Sequence, residues 1–114
     1  GMKYRHYAPQ AVVTLVDGGQ AFLQSLVDSE RRKGKKVGVL TTEERKNGYD
    51  ADAVVSCGRR DDLHTVARGL YAALREFDEH DVDLVFAETY SADGVGEAVM
   101  NRLEKSAGGR IICE

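Results

Sequence analysis

The sequence predicts an α/β fold: a small three-layer domain of about five mostly parallel strands with helices on both faces. Two observations carry this. Short β-branched runs alternate along the chain with longer segments of 3.6-residue apolar rhythm, the pattern of stacked βαβ units. One late run, residues 82–87, is almost continuously apolar, as suits a strand covered by helices on both sides. Length agrees: 114 residues and 12.5 kDa allow one domain that can bury roughly two-thirds of its unfolded surface without staples.

Taken in order, residues 12–16 (Val-Val-Thr-Leu-Val) read as the first strand, closed by the turn cluster Asp17-Gly18-Gly19. Phe22, Leu23, Leu26 and Val27 then form one helical stripe, which ends at Arg31-Arg32-Lys33-Gly34, where cations favour the negative end of a helix and Gly34 stops it. Residues 36–41 are a second strand. The polar stretch 42–50 is a loop with room for one helical turn near residues 43–46, and 53–57 a third strand. Asp61 or Asp62 is the N-cap expected for the longest helix, whose Leu63, Val66, Ala67, Leu70, Leu74 and Phe77 keep the helical rhythm for four turns. Residues 82–87 form the fourth strand. A last helix over 96–106 turns Ala98, Val99 and Leu103 inward and stops at Gly108, and 110–113 supply the fifth strand. With right-handed crossovers the result is a Rossmann-like sheet over residues 11–114, preceded by an arm of residues 1–10 that the single proline, Pro9, makes extended. Strand order is not fixed by these signals.

Composition excludes several function classes. No apolar run approaches the ~18 residues of a membrane span, and the first residues hold no apolar stretch of a signal peptide, so a cytoplasmic domain with no membrane partner is expected. The first ten residues carry Lys3 and Arg5 and no acid, while the other 104 carry 14 bases against 19 acids. An acidic body of pI about 5.6 argues against direct nucleic-acid binding. Cys57 and Cys113 stand apart with no CxxC pair and no neighbouring His, which gives no support to a metal site or a disulfide framework.

Open α/β sheets bind ligands beyond the carboxyl ends of their strands, here marked by Asp17, Thr41, Thr42, Cys57, Glu88 and Thr89. These groups are chemically mild. His64 and His80 sit at opposite ends of the long helix, far from any Ser or Cys they would activate, so no catalytic residues are assigned. Gly94 and Gly96 precede a helix start, where free N–H groups can hold an anion, but a tight strand-to-helix turn explains them equally well, and Val99 stands where the third glycine of a dinucleotide fingerprint would be. Arg59-Arg60-Asp61-Asp62 could offer guanidinium groups to a phosphate, but alternating charge at a helix start reads first as a solvated cap. The crevice candidates are therefore Thr41, Thr42, Glu88, Gly94 and Gly96. The arm differs: Lys3, Tyr4, Arg5, His6 and Tyr7 pack two fixed charges, an imidazole and two phenols into five residues with little to bury, which suits an anion or nucleotide site as well as it suits an unstructured chain end.

The arm, residues 1–9 (Gly-Met-Lys-Tyr-Arg-His-Tyr-Ala-Pro), together with Val37-Gly38-Val39-Leu40-Thr41, Arg60-Asp61-Asp62-Leu63 and residues 94–103 (Gly-Val-Gly-Glu-Ala-Val-Met-Asn-Arg-Leu), resembles the linker and C-terminal domain of long-type threonylcarbamoyl-adenylate synthases of tRNA modification, in the same order. The resemblance implies a non-catalytic accessory or regulatory domain. It implies that Lys3, Tyr4, Arg5, His6 and Tyr7 form a substrate lid over the active site of an N-terminal catalytic domain, which joins threonine, bicarbonate and ATP and holds the ATP and Mg2+. That domain, not contained in these residues, is the expected partner, in cis or in trans, with the threonylcarbamoyl-transfer machinery an indirect one. No cofactor is implied for this chain itself, and a homodimer is left open. The alternative reading is a small-ligand or nucleotide-binding module that uses the strand-end crevice.

Overall fold

In the computed structural model, which describes residues 10–114, the β-branched runs form β1 (Val12–Asp17), β2 (Val37–Thr41), β3 (Ala53–Ser56), β4 (Leu84–Glu88) and β5 (Ile111–Cys113). They make one sheet in the order β3-β2-β4-β1-β5, with every pairing parallel. The rhythmic segments form α1 (Gln20–Arg32), α2 (Leu63–Phe77) and α3 (Val95–Ala107).

The two-residue alternation of the strands sorts the core into two layers. Val13, Leu15, Leu40, Val55, Val85 and Ala87 face α2 and α3, meeting Val66, Leu70, Leu74 and Phe77 from the one and Val99 and Leu103 from the other. The opposite positions, Val16, Val37, Val39 and Phe86, face Leu23 and Val27 of α1. Helices thus cover both faces. The central strands β2 and β4 are the most fully buried, whereas Ile111 and Ile112 of the edge strand β5, and Val12 of β1, stand exposed.

Local chemistry sets the ends of the elements. Of the two aspartates before α2 it is Asp62 that caps, its carboxylate accepting from the His64 N–H. α1 closes at Lys33, just before Gly34, and α3 closes on Gly108, whose left-handed backbone (φ 59°) suits glycine. Three details depart from the sequence reading. β4 begins at Leu84, not residue 82, because the chain reverses at Asp81 (φ 56°) and the Asp83 carboxylate accepts from the Lys36 N–H at 2.8 Å. The helical turn in the loop is a 3₁₀ turn at Lys46–Gly48, after the Glu43 N–H has been drawn to the Gly58 carbonyl. Ala98 is exposed: Gly96, Val99 and Leu103, at i, i+3 and i+7, are the inward face of α3.

The strand order positions the site. From β2 the chain runs outward to the edge strand β3, while from β4 it runs the other way, through α3, to β5. The connections diverge between the carboxyl ends of β2 and β4, the topological switch point at which an open sheet leaves a crevice.

Candidate functional site

Glu88, the last residue of β4, stands at this switch point with its side chain only 4% exposed. A carboxylate so deeply covered needs charged and hydrogen-bonded partners. Two distant loops supply them, one between β2 and β3 and one between β3 and α2. The Tyr49 hydroxyl, just past the 3₁₀ turn, donates at 2.5 Å; Arg60, from the loop before α2, donates through Nη2 at 2.9 Å; and Arg45, from the turn after β2, pairs through Nη1 at 3.5 Å. Arg60 also donates to the Thr89 carbonyl at 3.3 Å, and its guanidinium lies 4.5 Å from the centre of the Tyr90 ring, a cation–π distance.

The loop that carries Arg60 is itself tied down. The Glu44 carboxylate accepts from the backbone N–H groups of Arg60 (2.7 Å) and Asp61 (3.1 Å), and the Arg60 bond most of all holds its pKa down to about 2. Burial, reinforced by the bond to Glu88, pushes the Tyr49 phenol up, so it stays a donor. Burial likewise raises Tyr90, and it raises Cys57 to about 11 while that thiol donates to the Thr41 carbonyl at 3.2 Å. Such a thiol is inert near neutral pH.

Above this cluster opens a cavity of about 420 Å³, bounded by residues 17–20 at the β1–α1 turn, by Arg45 and Arg60, and by residues 88–91 at the exit of β4. The Thr89 hydroxyl donates to the Val16 carbonyl at 3.2 Å, tying β4 to β1 at its floor. Of the residues expected at the crevice from the sequence, Glu88, Asp17 and Thr89 line it. Thr41 and Thr42 are fully buried and do not line it; the Thr41 hydroxyl has no hydrogen-bond partner among the described residues. Gly94 and Gly96 open α3 instead. Gly94 has φ 57° and ψ −126°, a conformation for glycine alone, and a Cβ on Gly96 would strike the Ser91 carbonyl oxygen, so the turn reading accounts for both. Lys3, Tyr4, Arg5, His6 and Tyr7 lie outside the described residues.

Arg59 pairs with Asp61 through two 3.0 Å bonds in the open, as a solvated cap would. Arg60, one residue on, does the opposite and enters the site. Sequence reasoning misses Arg45, Tyr49 and Tyr90 and ranks Arg60 as a solvated cap above a ligand group, because the meeting of Arg45, Tyr49 and Arg60 with Glu88 is set by strand order. The nearest available signal was the crossover rule itself, which places all the loops after strands on one edge of the sheet. His80 pairs with Glu76 on α2 and His64 opens that helix, so neither reaches a thiol or hydroxyl in the crevice. Among the described residues no three His, Cys, Asp or Glu side chains gather as metal ligands would, and no helix is long and apolar enough to cross a membrane.

A parallel α/β sheet with a polar, charge-paired crevice at its switch point defines a Rossmann-like α/β domain. The sequence matches the family described as "Threonylcarbamoyl-AMP synthase, C-terminal domain" over residues 1–108, and the chain belongs to that family. It is 54% identical over 112 residues to threonylcarbamoyl-AMP synthase of Bacillus subtilis, covering 98% of this chain and 32% of that protein. Among solved structures it resembles Pyrococcus abyssi Sua5 complexed with L-threonine (TM-score 0.81, 43% identity, 100% of this chain and 33% of that one). It also resembles a variant of that protein in which a histidine and the tyrosine after it are replaced by alanine (TM-score 0.81, 39% identity, 93% of this chain and 30% of that one). A separately crystallised C-terminal Sua5 domain from Pyrococcus horikoshii matches 94% of this chain along its whole length (TM-score 0.74, 37% identity). The chain spans about a third of the length of the full-length relatives it matches.

Proposed function

We propose that this chain is the non-catalytic accessory domain of an L-threonylcarbamoyladenylate synthase, an enzyme acting in the cytoplasm that joins L-threonine, bicarbonate and ATP. In this reading the arm of residues 1–9 closes over the active site of the catalytic part that lies outside this chain, where ATP and Mg2+ bind. The observation that carries it is the combination of family membership with a site in which Glu88 is taken up by Arg45 and Arg60 and, among the described residues, no nucleophile faces a base. Two further observations support it. The one His-Tyr pair of this sequence, His6-Tyr7, falls in the arm, and adjacent His and Tyr are the residues replaced in the Pyrococcus abyssi variant. Exposed Val12, Ile111 and Ile112 lie on β1, into which the arm leads, and on β5 beside it, where a covering partner would bury them.

The test is substitution in the arm of the complete enzyme. Arg5→Ala and His6→Ala are expected to lower ATP consumption at least about tenfold, the worth of one lost charge-assisted contact, while the melting curve of the 114-residue chain stays where it was. Unchanged turnover in both variants would contradict the lid.

A further inference from the structure

We propose that the crevice at the carboxyl ends of β1 and β4 binds a small zwitterion, a molecule with one singly charged anionic group and one ammonium group, of which free α-amino acids are the simplest class. The proposal is independent of the lid assigned to residues 1–9.

Four charged side chains line the cavity: Arg45, Arg60, Glu88 and Asp17. Glu88 is shared by both guanidiniums and by the Tyr49 hydroxyl, so one negative charge faces two positive ones and the Arg45–Arg60 wall keeps one positive charge in excess. Both guanidiniums remain open to the cavity, with side chains 33% and 28% exposed, and each fork has five N–H donors, more than Glu88 uses. On the other wall stands Asp17, exposed at the end of β1; its backbone carbonyl accepts from the Glu114 N–H, but its carboxylate has no hydrogen bond or ion pair among the described residues. Among the described residues, one cavity therefore holds a cation in excess on its Arg45–Arg60 wall and an unpaired carboxylate at the end of β1. A ligand with both signs pairs with each, whereas a dianion meets Asp17 and an apolar ligand would strip water from both charges with nothing in return.

The positive end of α1 is partly answered by a carboxylate of the chain itself. Its Gly19 N–H already donates to the Glu114 carboxylate at 2.8 Å, and the guanidiniums carry the full positive charges of the cavity. Ser91 and Gln20 add polar groups at the rim, and a volume of about 420 Å³ admits a molecule of this class with room for a side chain.

The test is an amide NMR titration of the 114-residue chain with L-alanine, L-serine, L-threonine and L-glutamate, against propionate, ethylamine and inorganic phosphate. At least one amino acid is expected to give saturable shifts confined to Gly18, Gly19 and Ser91 and their neighbours, with Gly34 unmoved. Its half-saturation should lie at least about tenfold below those of propionate and ethylamine, and rise about tenfold in Asp17→Asn and in Arg45→Ala, one charge-assisted contact each. Asp17→Asn changes an exposed side chain, so its melting curve should match the parent's and keep the comparison clean. Three outcomes overturn the proposal: no saturable shift with any amino acid, phosphate or propionate binding as tightly as the best amino acid, or undiminished binding in Asp17→Asn.

Discussion

Glu88 is the residue on which the crevice depends. Its carboxylate gathers Tyr49 and Arg45 from one loop and Arg60 from another, and removing one member of a covered ion cluster leaves the others uncompensated. Because both arginines are about a third exposed, water blunts the loss. Glu88→Gln should therefore cost about 1–3 kcal/mol and lower the melting temperature by roughly 5–15 °C, as calorimetry would read it. A second test lies at Glu44, whose pKa falls to about 2 because it accepts from the Arg60 N–H. A carboxylate held lower in the folded than in the unfolded chain stabilises above its unfolded pKa of about 4.3, and that contribution fades as pH drops toward the folded value. In urea titrations Glu44→Gln should unfold at lower denaturant than the parent at pH 6, and the gap should close between pH 4.5 and 2. A constant gap across that window would show that the charge is not what holds the loop.

At the scale of elements, most of the fold was legible and the site was only half so. The α2 stripe from Leu63 to Phe77 and the apolar run ending in β4 are written in local periodicity, which tertiary context here reinforces. Strand order was not, since nothing in residues 37–41 or 84–88 says that β2 and β4 are neighbours; that follows from which helix packs where. The same gap hid the partners of Glu88: its position at a strand end was readable, but Arg45, Tyr49 and Arg60 are 43, 39 and 28 residues away along the chain. Ala98 was misplaced because four apolar residues in the first turns of α3 admit two neighbouring faces, and the packing of Gly96 against the Ser91 carbonyl selects one. That contact makes a prediction whose sign opposes helix propensity. Alanine favours a helix over glycine, yet Gly96→Ala should destabilise by about 1–3 kcal/mol, because the backbone carbonyl in its way cannot step aside as a flexible side chain would. A stabilised variant in thermal melts would mean that the turn before α3 is looser than described.

At the scale of the whole molecule, residues 10–114 form one sheet with helices on both faces, and the lid proposed for residues 1–9 would act outside it. Residues 10–114 bury two apolar layers and pair their covered charges internally, so the domain has what it needs to stand alone, as its separately crystallised Pyrococcus horikoshii relative does. The basic, aromatic residues 3–7 belong to no such layer in the sequence pattern. The most direct measurement is ATP-to-pyrophosphate turnover with L-threonine and bicarbonate, comparing the 114-residue chain, the preceding part of the enzyme without it, and the two joined or mixed. The account predicts no turnover by the chain alone and full turnover only when both parts are present. Turnover by the chain alone would make it an enzyme in its own right, and full turnover by the preceding part alone would remove the lid from the mechanism.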